Sequence, residues 1–167
     1  MQPQTVYLAL GTNLGERTVN LRRAIQSLPP AVTVLAESPV YETPPWGVTD
    51  QPNFLNMALK GETRLVPLEL LKRLKQLESE LGRVPSVHYG PRLIDMDILF
   101  YADLVLEAPE LTLPHPRLHE RAFVLVPLAD LATDLRHPRL GKTIHELLAS
   151  VDTGGIQAYQ CLAAMGG

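Results

Sequence analysis

The chain has 167 residues, 46% of them apolar and 20% charged, with a net charge of −3 and a sequence pI near 5.9. That length suits one domain with room for a tail, and the composition belongs neither to a disordered chain nor to a membrane protein. A lone cysteine, Cys161, excludes an internal disulfide and a thiolate zinc cluster and points to a reducing cytoplasm, while the mild acidity excludes broad nucleic-acid binding.

The N-terminus has no positively charged segment and no long apolar run, so it reads as neither a signal peptide nor a membrane span. Residues 6–10 are almost continuously apolar, expected as a buried strand that ends in the turn Gly11-Thr12-Asn13-Leu14-Gly15. Leu21, Ile25 and Leu28 recur at helical spacing and predict an amphipathic helix over 16–28, stopped by Pro29-Pro30. Val32, Val34 and Ala36 alternate as in a strand, which resumes at Val40-Tyr41 after a Ser-Pro break, and a further strand covers 53–63. The eleven-residue loop between them contains Thr43-Pro44-Pro45-Trp46-Gly47, too proline-rich for a helix or central strand and long enough to suggest a function. Pro67 opens and Gly82 closes a helix lined by Leu70, Leu71, Leu74, Leu77 and Leu81.

Residues 94–101 form the clearest strand, with Ile94, Met96, Ile98 and Phe100 expected on one face and Asp95, Asp97 and Leu99 on the other. A hairpin near 104–106, a proline loop at 114–116, helices around 119–131 and 144–151, and a loose tail over about 152–167 complete the chain. The element order predicts an α+β fold: a ferredoxin-like βαββαβ core, with an antiparallel sheet and both core helices on one face, plus C-terminal helices, all in one domain over 1–167.

Asp95 and Asp97, at i and i+2 on a strand, project side by side. Adjacent carboxylates repel each other and resist desolvation, and a divalent cation relieves both penalties. Hard oxygen ligands suit Mg²⁺, which is commonly shared with substrate phosphates. A polar face on an edge strand also accounts for the pair, although Asp is depleted in strands. Basic stretches flank it: Arg83, His88 and Arg92 on one side, His115, Arg117, His119 and Arg121 on the other. Arginine forks suit phosphate, or stand as solvated surface groups. The Gly-x-x-x-x-Gly-Lys-Ser/Thr phosphate loop is absent, because Arg136 occupies the place of its first glycine before Gly141-Lys142-Thr143. Phe54 and Asn56 share a strand face, and Phe123 follows the second basic stretch. Aromatics beside an amide suit a planar heterocycle, and equally serve as core.

Together these pieces resemble the 6-hydroxymethyl-7,8-dihydropterin pyrophosphokinase family. The matching segments are Ala9-Leu10-Gly11-Thr12-Asn13-Leu14-Gly15, Tyr41-Glu42-Thr43-Pro44-Pro45, Asp50 through Asn56, Glu78-x-x-Leu81-Gly82-Arg83, Gly90-Pro91-Arg92-Leu93-Ile94-Asp95-Met96-Asp97, and Leu113-Pro114-His115-Pro116 through Leu125. The resemblance implies transfer of pyrophosphate from ATP to the hydroxymethyl group of the dihydropterin, releasing AMP, with two Mg²⁺ ions held by Asp95 and Asp97. It implies a catalytic group of Arg83, Arg92, Asp95 and Asp97. Glu78, Arg83, Arg92, Ile98, Thr112, His115 and Arg121 fall at ATP positions, and Gly11, Thr43, Pro44, Trp46, Phe54, Asn56, Tyr89 and Phe123 at pterin positions. It further implies a cytoplasmic monomer or weak dimer acting on small molecules, with no nucleic-acid or membrane partner. Tyr89 stands where the family commonly has Trp, Phe54 where it often has Tyr, and the loop over 84–88 is short and poor in arginine. A nucleotidyltransferase that releases pyrophosphate also fits the aspartate pair, whereas a non-catalytic binding module leaves the pair without a reason.

Overall fold

The computed structural model describes residues 2–45, 49–82 and 93–159. Strand β1 (Gln4–Thr12) leads into helix α1 (Arg17–Ser27), then strands β2 (Thr33–Glu37), β3 (Tyr41–Thr43) and β4 (Phe54–Thr63). Helix α2 (Pro67–Glu80), strand β5 (Asp95–Tyr101) and the small hairpin β6 (Leu106–Glu107) and β7 (Thr112–Leu113) follow. A 3₁₀ turn at Leu118–Glu120, helices α3 (Ala122–Ala132) and α4 (Ile144–Ala149), and strand β8 (Gln157–Ala158) complete the order.

The main sheet runs β5-β1-β4-β3-β8, with β2 also paired to β4. β2 and β3 divide one side of β4 between them, Thr33–Glu37 opposite its end and Tyr41–Thr43 opposite its start. They act as one strand interrupted at Ser38-Pro39, where proline cannot donate to the ladder. With every core pair antiparallel and β1 and β4 central, the sheet has the expected ferredoxin-like arrangement.

Both faces of the sheet are covered, which is why β1 reads as a continuous apolar run. Val6, Leu8 and Leu10 pack with Leu55, Met57 and Leu59 of β4 against Leu21, Ala24 and Ile25 of α1 and Leu70, Leu74 and Leu77 of α2. Tyr7, Ala58, Leu99 and Phe100 pack on the opposite side against Val124, Leu125 and Leu128 of α3 and Ile144 and Leu147 of α4. Tyr41 O–H donates to the Asp130 carboxylate and ties β3 to α3.

Three expectations from sequence need correcting. Phe100 does not share the face of Met96 and Ile98: the register against β1 shifts between Tyr7 and Leu8, so Leu99 and Phe100 both turn toward α3 and α4. A bulge of this kind breaks simple alternation. The hairpin forms over 106–113 rather than 104–106, with Leu106 opposite Leu113. Residues 152–159 are not a loose tail, because β8 adds to the outer edge of β3. Residues 160–167 lie outside the described residues. The Gly141-Lys142-Thr143 fragment is a helix start: Thr143 Oγ1 accepts the Glu146 N–H at 3.2 Å as the N-cap of α4. Among the described residues no helix is long and apolar enough to cross a membrane.

The Phe100 ring meets Tyr7 edge-on at 6.3 Å between centroids. Phe100→Ala is expected to cost about 3–5 kcal/mol in urea unfolding. It should combine non-additively with Tyr7→Ala and additively with Leu74→Ala on the far face. Coupling to Leu74 instead would place Phe100 back on the α1 and α2 side.

Candidate functional site

Antiparallel register brings the singled-out residues into rows. Gly11 of β1 lies opposite Asp95 on one side and Asn56 on the other, and Asn56 in turn lies opposite Tyr41 of β3. One step along, Ala9 lies opposite Asp97 and Ala58. Paired residues point to the same face, so Asp95, Asp97, Gly11, Asn56, Phe54 and Thr43 all lie on the α3 side. They sit at one end of the sheet, where β1 and β3 finish and β4 and β5 begin.

The half of this face near β3 and β4 is held by the Asn56 amide. Its Nδ2 donates to Thr43 Oγ1 at 2.7 Å, which turns Oδ1 toward β1. A Cβ on Gly11 would stand 2.7 Å from that oxygen, so the amide keeps its place because position 11 lacks a side chain. The neighbouring turn is pinned from two sides. Asn20 Nδ2 donates to Thr12 Oγ1 and the Leu14 carbonyl, while Asn13 Nδ2 donates to Gln51 Oε1 and the Pro52 carbonyl, both at 2.9 Å.

The other half carries charge. Burial first, and the Asp95 carboxylate second, push Asp97 up to about 7, with Lys75 and Arg121 pulling the other way. Burial and the Arg121 guanidinium push His115 down to about 4, partly opposed by Asp95. Arg117 N–H donates to His115 Nδ1 at 3.2 Å, so the neutral ring carries its proton on Nε2 and presents a donor rather than a cation. The His115 N–H also caps the Leu99 carbonyl on the outer edge of β5 at 3.0 Å. Arg121, at the start of α3, holds its guanidinium carbon 5.6 Å from the Phe123 ring centroid.

Glu78 reaches this strand from α2. It is buried, accepts the Met96 N–H at 2.7 Å and lies 3.4 Å from Lys75 Nζ. Its carboxylate therefore grips the peptide between the two aspartates. Ile98, an expected ATP contact, has its side chain in the core on the α1 and α2 side. Thr112 lies on β7, in the hairpin beyond β5. Pro44 is exposed just past β3. Trp46, Arg83, His88, Tyr89 and Arg92 lie outside the described residues.

Lys75 is the charged residue that sequence reasoning passed over. Its signal was available: it precedes Glu78 by three positions on a helix, and such pairs face the same way.

The aspartate pair fits a divalent cation. Two oxygen donors share a site whose shortage of positive charge is registered by the raised Asp97 carboxyl. Among the described residues no group of three or more His, Cys, Asp or Glu side chains is placed to hold a metal, so the pair would leave most coordination positions to water and phosphate oxygens.

The fold and this face define a ferredoxin-like protein with a carboxylate pair and an oriented amide in one row. Residues 7–133 match the family model of 7,8-dihydro-6-hydroxymethylpterin-pyrophosphokinase, and the chain belongs to that family. It is 45% identical to the 2-amino-4-hydroxy-6-hydroxymethyldihydropteridine pyrophosphokinase of Methylorubrum extorquens over 92% of this chain and 98% of that one. It is 44% identical to the enzyme of the same name from Pseudomonas aeruginosa, over 92% and 96% of the two chains. Among solved structures, wild-type Plasmodium falciparum HPPK-DHPS with pteroate superposes with a TM-score of 0.74 at 17% identity, a likeness of fold. That match covers 89% of this chain and 42% of the longer one.

Opposite pH dependences meet at Asp97 and His115. A carboxyl raised in the fold contributes stability at low pH that is lost as pH rises from about 4 toward about 7. A histidine lowered in the fold contributes stability above about 6.5 that is lost as pH falls toward about 4. The two offset each other in the shared window. In chelator-treated protein, Asp97→Asn is expected to leave stability rising with pH between about 4 and 6.5, and His115→Asn to leave it falling. Urea midpoints across that range check both signs, and parallel profiles in the two variants would exclude the assignment.

Proposed function

We infer that this chain transfers the β,γ-pyrophosphoryl group of ATP to the hydroxymethyl oxygen of 6-hydroxymethyl-7,8-dihydropterin, yielding the pterin diphosphate and AMP in folate biosynthesis. The observation that carries this reading is the shared row. Asp95 and Asn56 flank Gly11 on one sheet face, so their strands lie about 10 Å apart, with the carboxylates at one end and the oriented amide at the other. Such a face accommodates a flat ring at Asn56 and a triphosphate at Asp95 with the reacting atoms between them. Membership of the pyrophosphokinase family, with relatives of nearly equal length bearing that name, supports the same chemistry.

In this reading Asn56 pairs with the pterin edge, and Phe54 and Phe123 lie against its faces. Thr43 and Pro44 border it, Gly11 lets it approach the backbone, and Trp46 and Tyr89 are assigned to the pterin by motif position. Asp95 and Asp97 would hold two Mg²⁺ ions, which would screen the phosphate oxygens and supply Lewis-acid chemistry at the transferring group. His115, as a neutral Nε2–H donor, and Arg121, as a fixed cation, hold phosphate oxygens, with Arg83 and Arg92 assigned to the transferred group by motif position. The Ile98 main chain and Thr112 lie by the base. The pterin hydroxymethyl oxygen attacks the β-phosphorus and gives up its proton to solvent, the bond from that phosphorus to the oxygen bridging to the α-phosphate breaks, and AMP leaves with that oxygen. The arrangement supplies orientation and charge stabilisation, which dominate such transfers. Glu78 serves the reaction by holding Met96, and so the spacing of the aspartates.

We read the chain as one domain and as a monomer or weak dimer of the cytoplasm, acting on small molecules without a nucleic-acid or membrane partner. The net charge of −3 and the single cysteine support that reading.

Incubation with ATP, Mg²⁺ and hydroxymethyldihydropterin is expected to yield AMP and the pterin diphosphate in equal amounts. Formation of ADP, or of pyrophosphate with AMP left on the acceptor, would overturn the assignment. Asp95→Ala and Asp97→Ala are each expected to lower kcat by about a thousandfold or more while leaving the circular-dichroism spectrum unchanged. Near-normal turnover in either variant would remove that aspartate from the chemistry.

A further inference from the structure

Arg17 takes no part in the chemistry above, yet it joins four segments of the chain. From the first turn of α1 its Nη1 donates to Glu42 Oε2 at 2.7 Å and to the Asn53 carbonyl at 3.1 Å. Its guanidinium carbon lies 5.4 Å from the centroid of the Tyr159 ring. Glu42 precedes Thr43, and Asn53 precedes Phe54. One guanidinium therefore spans the two strand ends from which Thr43, Phe54 and Asn56 project.

Tyr159 comes from the C-terminal segment, which braces the same place. In β8, Ala158 lies opposite Tyr41 and Gln157 opposite Glu42. Beyond it the Tyr159 N–H donates to the Val40 carbonyl at 2.8 Å, and the ring packs against the main core. Gly155 approaches Pro44 so closely that a Cβ would stand 3.2 Å from Pro44 Cγ. β3 is three residues long. Such a strand gains little from its own ladder, so its position depends on what holds its outer edge.

We propose that Arg17 and Tyr159 are positioning residues for the pterin: with β8 they clamp β3 to the start of β4, so that Thr43, Phe54 and Asn56 are set before the heterocycle arrives. The proposal rests on the reading of those three residues as pterin contacts. Arginine suits the task because its planar fork donates to two acceptors while its face rests on a ring, which an ammonium group cannot reproduce. The clamp lies at the β3 edge of the sheet, and the aspartates lie on β5 at the opposite edge. It therefore acts on one substrate. Ordering these contacts in advance removes a cost that would otherwise fall on pterin binding.

The test separates the two substrates. Tyr159→Ala and Arg17→Ala are each expected to raise KM for the dihydropterin about five- to tenfold, with kcat and KM for ATP within about twofold of the parent. Tyr159→Phe keeps the ring and should retain parent values, and the double alanine variant should be little worse than either single one. Amide exchange at Thr43 and Phe54 should quicken about tenfold in Tyr159→Ala. An unchanged pterin KM beside normal wild-type turnover would overturn the clamp and leave the proposed function standing, as would an equal rise in both KM values. A wild-type protein that forms no AMP would overturn the proposed function, and unchanged amide exchange in Tyr159→Ala would overturn the clamp separately.

Discussion

The register of β1 between β4 and β5 is the constraint on which the rest depends. Pairing Gly11 with both Asp95 and Asn56 puts the carboxylates and the amide on one face and in one row. A slip of one residue would send every inward side chain of β1 to the wrong face. The slip is prevented by burial on both sides: Val6, Leu8 and Leu10 fit the layer of α1 and α2, while Tyr7 and Ala9 fit that of α3 and α4. The two helical layers thus stabilise the sheet and also hold the site in alignment.

The charged end of the face is unfavourable in isolation. Asp97 is driven toward its neutral form by burial and by Asp95, while His115 is driven toward its neutral form by burial and by Arg121. A protein tuned for stability alone would replace such groups with apolar ones, since uncompensated buried charge is costly. Under the proposed function a ligand supplies the missing partners: cations for the aspartates, phosphate oxygens for the histidine and arginine. Glu78 adds a negative charge nearby, but its Oε2 is committed to the Met96 N–H. Its contribution is geometric, holding the backbone that spaces the pair.

Much of the fold was legible because local signals agreed with one another. The leucine spacing of α2, the proline at its start and Gly82 after its end, with a φ of +99°, all point to the same helix. Alternation around Asp95 and Asp97 gave their common face correctly, as did the Phe54 and Asn56 spacing. The motifs that placed the chain in its family were read from the same residues. Failures came where a long-range contact overrode a local pattern. Phe100 left its predicted face because the ladder against β1 bulges, and nothing near Phe100 in sequence marks that. The segment around Gln157 looked like tail because its few residues form a strand only when the edge of β3 is there to receive them. Lys75 was passed over because a lysine on an amphipathic helix resembles any other solvated one until β5 is seen beside it.

By itself, then, the sequence determined the order of the core elements, the antiparallel ferredoxin-like arrangement and the family, because periodicity, turn chemistry and motif spacing are all local properties. The tertiary structure alone decided the register in which the strands pair. It thereby decided that Asp95, Gly11 and Asn56 form one row, that His115 presents Nε2–H as a neutral donor, and that residues 157–159 return to brace β3. Those outcomes depend on cross-strand register, on the charges assembled around a buried group and on packing between segments as far apart as Arg17 and Tyr159, and none of these is a property of neighbouring residues.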